Sequence, residues 1–327
     1  MDTGQQHYPL SRSGRLLAAL PRPERLHRPL LALAVLMGVT GLGSVIGLIV
    51  DDRMITGLPI WAKPLKFAIS IAAYALSMAY LLPLVPKMKR TVWWSGTIIA
   101  LMLGYEMVPI AGQAMRGTTS HFNETTPFDA AVWETMTIAI IVMWVANLAA
   151  VIVLTFARIG DRALTRALRW GGAIALIGVG LGAMMPPQRS GVDGIAGAHT
   201  VGGGDGGPGL PVLGWSTTGG DLRIAHFVGM HALQAIPLLA LFLAGRIADE
   251  TRRARIVLVA AFAYAGLTAL VLWQALRGES LVHPSAPTLL ALAALAVVTV
   301  AGVLLSGLGA RRREAAAEVR EPQNQAA

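Results

Sequence analysis

Long apolar runs, separated by short polar stretches, dominate the pattern of this chain. Runs of about 18 or more apolar residues read as membrane-crossing helices, since at about 1.5 Å per residue they cover a hydrocarbon core roughly 30 Å thick. The pattern predicts eight spans, at 30–50, 64–84, 93–113, 131–156, 169–186, 222–245, 256–276 and 286–308. The fold class expected is therefore an all-α integral membrane protein with eight transmembrane helices. Residues 1–29 read as a basic cytoplasmic tail, 30–308 as the transmembrane domain and 309–327 as a disordered cytoplasmic tail. The first run is too long for a signal-peptide core and no small-residue cleavage site follows it, so it is expected to remain as a span.

Composition agrees, with 54% hydrophobic and 14% charged residues against about a quarter charged in a soluble domain. The 27 Lys and Arg are unevenly placed. Twenty fall in the N-terminal tail, the 85–92 loop, the 157–168 loop with the start of the fifth span, the 246–255 loop and the C-terminal tail. The other side holds only Arg53, Lys63, Lys66, Arg116, Arg189, Arg223 and Arg277. By the positive-inside rule both termini are cytoplasmic, in a bacterial-type inner membrane. The net charge of +9 then sets topology and meets anionic lipid head groups, not nucleic acid. With no cysteine the chain has no disulfide, thiolate metal site, iron–sulfur cluster or covalent c-type haem. Trp93, Trp94, Trp133 and Trp273 fall near span ends, as interfacial aromatics do.

Glycine-rich first and fifth spans carry the GxxxG pairs Gly43/Gly47 and Gly178/Gly182, which are assigned to close helix packing. Gly57-Leu58-Pro59-Ile60-Trp61 precedes the second span, with its Lys66-Phe67, and Gly209-Leu210-Pro211-Val212-Leu213-Gly214-Trp215 precedes the sixth, with its His226-Phe227. These two matches are consistent with a parallel four-plus-four repeat.

Candidate chemistry gathers on the sixth span. At about 100° per residue, taking His226 as zero, Arg223 falls at about 60°, Gln234 at about 80° and His231 at about 140°, one broad polar arc on an undistorted helix. Ionisable groups within a membrane are costly and face the bundle interior or a water-filled cavity. Glu106 lies in the outer half of the third span, roughly 20 Å from Trp93, with Gln113 on the same face and Pro109 between. It is expected to point inward within one water of Lys66, Arg223 or His226. Glu134 opens the fourth span, which Thr126 or Asp129 caps. The outer loop 116–129 adds His121 and Asn123, and the loop 187–221 adds His199 and Asp205 among glycines. So long a connection is either a lid or a linker. The cytoplasmic half of the bundle is nearly free of ionisable groups.

The expected outward-facing pocket has His226, His231, Glu106 and Glu134 as acid/base groups. Arg223, Lys66, Gln234, Gln113, His121 and Asn123 are its substrate contacts. His226, His231, His121 and His199 are the candidates for a haem or divalent metal, a cofactor the sequence leaves open. His226 and His231 point about 140° apart and do not chelate one ion as the i, i+4 pair of HExxH does. The leading function is a membrane-embedded enzyme or redox protein acting on a lipid-phase or periplasmic small molecule. The alternatives are a proton-coupled transporter and a structural or assembly subunit.

Overall fold

A computed structural model describes residues 23–325, with side chains described for 24–307. The N-terminal tail expectation therefore lies mostly outside the described residues. The helices are α1 (Arg28–Val50), α2 (Ala62–Leu81), α3 (Lys89–Arg116), α4 (Pro127–Phe156), α5 (Arg162–Gly180), α6 (Leu222–Met230), α7 (Ala232–Ala244), α8 (Glu250–Leu276) and α9 (Ala286–Gln325). Among the described residues, seven helices are long and apolar enough to cross a membrane. α6 and α7, bent by 42°, make an eighth span if taken together.

Local chemistry explains most of the boundaries. His27 caps α1 by accepting from Leu30 N through Nδ1, and its Nε2 lies 2.9 Å from the Trp93 carbonyl, tying α1 to the start of α3. Thr126 is the cap of α4: its hydroxyl accepts from Asp129 N, and Pro127 follows at the first turn, where a missing N–H costs nothing. Asp161, Asp221 and Asp249 cap α5, α6 and α8 in the same way.

The sixth span departs from the expected straight helix. The chain breaks at His231, whose ψ of 0° leaves the helical region, and resumes as α7. Two local causes are at hand. Pro237 cannot donate to Leu233, so the following turn is weakened. Immediately before the break, Gly229 and Met230 are pressed against the backbone of Gly178 on α5. The polar arc computed for an undistorted helix is corrected accordingly: His231 turns toward α2, with Nε2 3.2 Å from Ser70 Oγ, while His226 turns toward α5.

The core runs between α1, α2, α3 and α4, through Leu30, Met37, Met78, Ile99, Ile110 and Met136, all under 2% exposed. A second core joins α5, α7 and α8 around Ala167, Ala232, Ile236 and Val257. Broad exposed apolar faces, among them Val35, Ile49, Leu290 and Leu304, suit a lipid surround.

At one end of the bundle the connections fold over the helices. β1 (Met54–Ile55) pairs antiparallel with β2 (Leu58–Pro59), and β3 (Thr200–Val201) with β4 (Gly220–Asp221). The 187–221 segment is an ordered lid: Ala196 N donates to Phe122 O at 2.7 Å, Glu124 N to Gly194 O at 2.7 Å, and Asn123 bridges Ile195. Gly197 is required there, because a Cβ would lie 2.9 Å from both the Phe122 ring and Pro186 Cα.

Candidate active site

Beneath the lid, helix ends and two loops bring three imidazoles to one aromatic cluster. His121 lies 5.7 Å from the Phe67 ring and 5.6 Å from Trp133; Phe122 lies 5.2 Å from His199; His226 lies 5.3 Å from Phe227, which meets Phe67 at 6.5 Å. Phe122 holds this position at φ 60°, a left-handed conformation that costs a non-glycine residue about 1–2 kcal/mol and tends to persist at functional sites.

Each of the three rings is oriented through Nδ1. His226 Nδ1 donates to the Gly178 carbonyl at 2.8 Å. His199 Nδ1 lies 2.5 Å from Asp205 Oδ2, and His121 Nδ1 lies 3.1 Å from Ser120 Oγ. In the first two this contact places a proton on Nδ1 and, in the neutral ring, leaves Nε2 as the acceptor nitrogen. Asp205 is itself fixed, accepting also from His199 N, Thr200 N and Thr200 Oγ1. The glycine-rich run around it is what allows the backbone to wrap a single carboxylate.

Electrostatics favour neutral imidazoles. Burial, then the positive fields of Lys63, His199 and His226, push the His121 pKa well below its ordinary 6.5. Burial also lowers His199, and its hydrogen bond to Asp205 only partly opposes this, with Arg223 and Lys63 adding to the lowering. Burial works against the ionised form of Asp205, yet its hydrogen bonds to His199 prevail and hold the carboxyl well below the usual range. A consequence for stability follows from the two lowered histidines. The unfolded chain takes up their protons first, so stability is present above about pH 6.5 and is lost as pH falls below it, by about 1.4 kcal/mol per pH unit per proton. Thermal unfolding of the purified protein between pH 7.5 and 5 is expected to show the midpoint falling toward acid, and His121→Gln to flatten the slope.

Glu106 points into the bundle, 2% exposed, with Oε1 lacking a hydrogen-bond partner among the described residues. The cation whose charge acts on it is Lys63, and none of the expected partners Lys66, Arg223 and His226 hydrogen-bonds it directly. Lys66 donates to Leu213 O at 2.8 Å. Arg223 pairs with Asp221 at 2.5 Å and donates to Gly214 O, so it braces the lid.

Other sequence candidates fall outside this group. Glu134 is exposed and makes no hydrogen bond among the described residues. Gln113 donates to Asp129 Oδ1 at 2.7 Å and accepts from Arg116, a clamp between α3 and α4. Asn123 is spent on its own loop, bonding Thr118 Oγ1, Thr119 O, Thr125 N and Thr125 Oγ1. His231 and Gln234 form a separate pair at 3.3 Å below the cluster. Lys63 and the Asp205 partnership were missed, although Lys63 lies three residues before Lys66 and Asp205 six after His199.

Among the described residues, no three His, Asp or Glu side chains converge closely enough to hold one metal ion, so the arrangement does not support a metal centre. Two open clefts on the lid, at Pro187–Ala196 and Thr200–Gly204, are lined by neither the three histidines nor Lys63 nor Glu106. Comparison of the chain with known protein families, curated proteins and solved structures finds no match, so the geometry of the site alone bears on its function.

Proposed function

We propose that the chain is a multi-pass inner-membrane enzyme with cytoplasmic termini, whose lidded pocket performs acid–base chemistry at the extracytoplasmic side on a lipid-phase or periplasmic small molecule. The observation that carries this reading is the His199–Asp205 pair, a carboxylate-oriented imidazole with Nε2 turned to use, set beside the similarly oriented His226. His199 takes a proton from a substrate O–H or from water as Asp205 stabilises the imidazolium. Glu106 serves as the buried carboxylate partner and Lys63 holds negative charge at the mouth, while Arg223 and Lys66 brace the lid beside it. The charge asymmetry of the loops supports the orientation.

A four-plus-four duplication is part of this reading. Lys63-x-x-Lys66-Phe67 and Arg223-x-x-His226-Phe227 share one spacing, and their phenyl rings meet at 6.5 Å. Proton-coupled transport is the second reading. It is favoured by interior polar groups outside the cluster: His231 with Ser70, and the buried Gln234 Nε2, Tyr74 OH and Asn147 Nδ2, the last three without hydrogen-bond partners among the described residues.

The deciding experiment incubates protein in nanodiscs with membrane-lipid and polar extracts and follows consumption by mass spectrometry. Wild type is expected to convert a component, and His199→Ala to lose that conversion by about 100-fold or more. Equal conversion by both proteins sinks the assignment of His199. No conversion, together with substrate-dependent proton uptake by proteoliposomes, replaces the enzyme reading with transport.

A further inference from the structure

We propose that Lys63 is the anchor of an organic-anion site, and that the molecule taken by the pocket bears a carboxylate or phosphate on an apolar body. This deepens the reading of the pocket as a substrate site and rests on it.

The cations of this region divide by what they already hold. Arg223 is committed to Asp221 and Gly214, Lys66 to the Leu213 carbonyl, and Arg53 to Asp51. The anions are committed as well: Asp221 also accepts from Ser216 N, and Asp205 is filled by His199 and Thr200. Lys63 alone of these cations makes no hydrogen bond or ion pair among the described residues. Its ammonium instead lies 6.0 Å over the Phe67 ring, and its charge acts on His121, His199 and Glu106. A half-buried ammonium so placed, in a low-dielectric region, strongly favours a counter-anion.

Among the described residues, Glu106 is the only carboxylate whose charge acts on Lys63 without being bonded elsewhere, and the two form no ion pair. Lys63 and the buried Glu106 are therefore two polar ends of one region that hold no hydrogen-bond partner among the described residues. A ligand whose anionic oxygens meet Lys63 and whose hydroxyl or amino group donates to Glu106 satisfies both ends. The neutral imidazoles accept further donors through Nε2. Phe67, Phe122, Trp133 and Phe227 offer ring faces and edges to an apolar body, and a site of mostly aromatic wall with a few placed polar groups is the usual form of a small-molecule pocket.

The anion is either a free organic anion or the headgroup of a lipid, and two sets of probes separate these. Purified protein in neutral nanodiscs is titrated with benzoate and with inorganic phosphate, and unfolding temperature is compared between nanodiscs of phosphatidylcholine and of phosphatidylglycerol. A saturable rise with benzoate or phosphate, weakened about tenfold or more in Lys63→Gln and kept in Lys63→Arg, supports a free anion. A rise only with phosphatidylglycerol, lost in Lys63→Gln, supports a headgroup. If no probe stabilises wild type, or if Lys63→Gln binds as wild type does, the proposal is overturned. Should Lys63→Gln not fold, Lys63→Met makes the same comparison, since an apolar side chain is tolerated where a buried charge is not needed. His199→Ala separates the two claims: it keeps probe binding within a few fold while losing conversion. Binding that fails while conversion survives removes the anion site alone, and binding that holds while His199→Ala still converts removes the acid–base role alone.

Discussion

Gly178→Ala is expected to destabilise the protein severely, and Gly43→Ala to leave it unchanged. A Cβ on Gly178 would lie 2.2 Å from Met230 N and 2.3 Å from Gly229 C, both backbone atoms that cannot rotate aside. Gly229 reciprocates, with its own Cβ position 2.7 Å from Gly178 Cα. Relief requires α5 and α6 to separate, which strips the packing around Ala225 and Val179 and breaks the His226 contact with the Gly178 carbonyl. Overpacking typically costs 1–3 kcal/mol, and a clash between two main chains belongs at or above about 3 kcal/mol, a large share of a total of roughly 5–15 kcal/mol. At Gly43 no atom lies within 4 Å of a Cβ, and alanine's better helix propensity, about 1 kcal/mol, favours the variant slightly. Tryptophan-fluorescence melting in detergent reads both. Equal melting of Gly178→Ala and wild type would mean that α5 and α6 do not meet as described, and with them the placement of His226 would fall.

The same pair of glycines shows how far the sequence could be read. GxxxG marks a helix face able to approach a neighbour, but not whether a neighbour comes. Gly43 stands open, Gly47 receives the Trp61 ring with a Cβ position 2.4 Å from its Cδ2, and Gly178 receives a backbone. Seven of the expected spans and their approximate ends were legible because apolar length is a property of the run itself. The break at His231 was not, because it depends on contact with a glycine more than fifty residues earlier. For the site, depth placed Glu106 correctly in the interior, since an inward face is the only inexpensive place for a carboxylate. Depth could not say which cation faces it. Lys63 and Lys66, three residues apart, share one helix face about 60° apart, and only the packing of the lid decides that Lys66 is drawn to Leu213. His199 and Asp205 appeared in a glycine-rich loop with no periodicity to pair them. Their contact arises from turns that glycine permits but does not specify.

Glu106→Gln is expected to fold like wild type and to lose conversion by about 10²–10⁴-fold, the usual share of a positioned acid or base. The substitution keeps shape and hydrogen-bonding capacity while removing the charge and the transferable proton. Folding is expected to survive because Glu106 makes no ion pair whose loss would strand a partner, and a buried charge is expensive to keep. Glu106→Leu sharpens the comparison. If the carboxylate only holds α3 against its neighbours, leucine should destabilise the protein and conversion per folded molecule should persist. If the carboxylate works on substrate, leucine should be neutral or stabilising, by up to a few kcal/mol, and conversion should vanish as completely as with glutamine. Lys63 gives the converse: Lys63→Gln leaves Glu106 without the one cation that reaches it, so melting of that variant should fall less in the double variant with Glu106→Gln than in the single. Unchanged conversion by Glu106→Gln, with melting intact, would remove Glu106 from the chemistry and leave His199, Asp205 and His226 as the working groups.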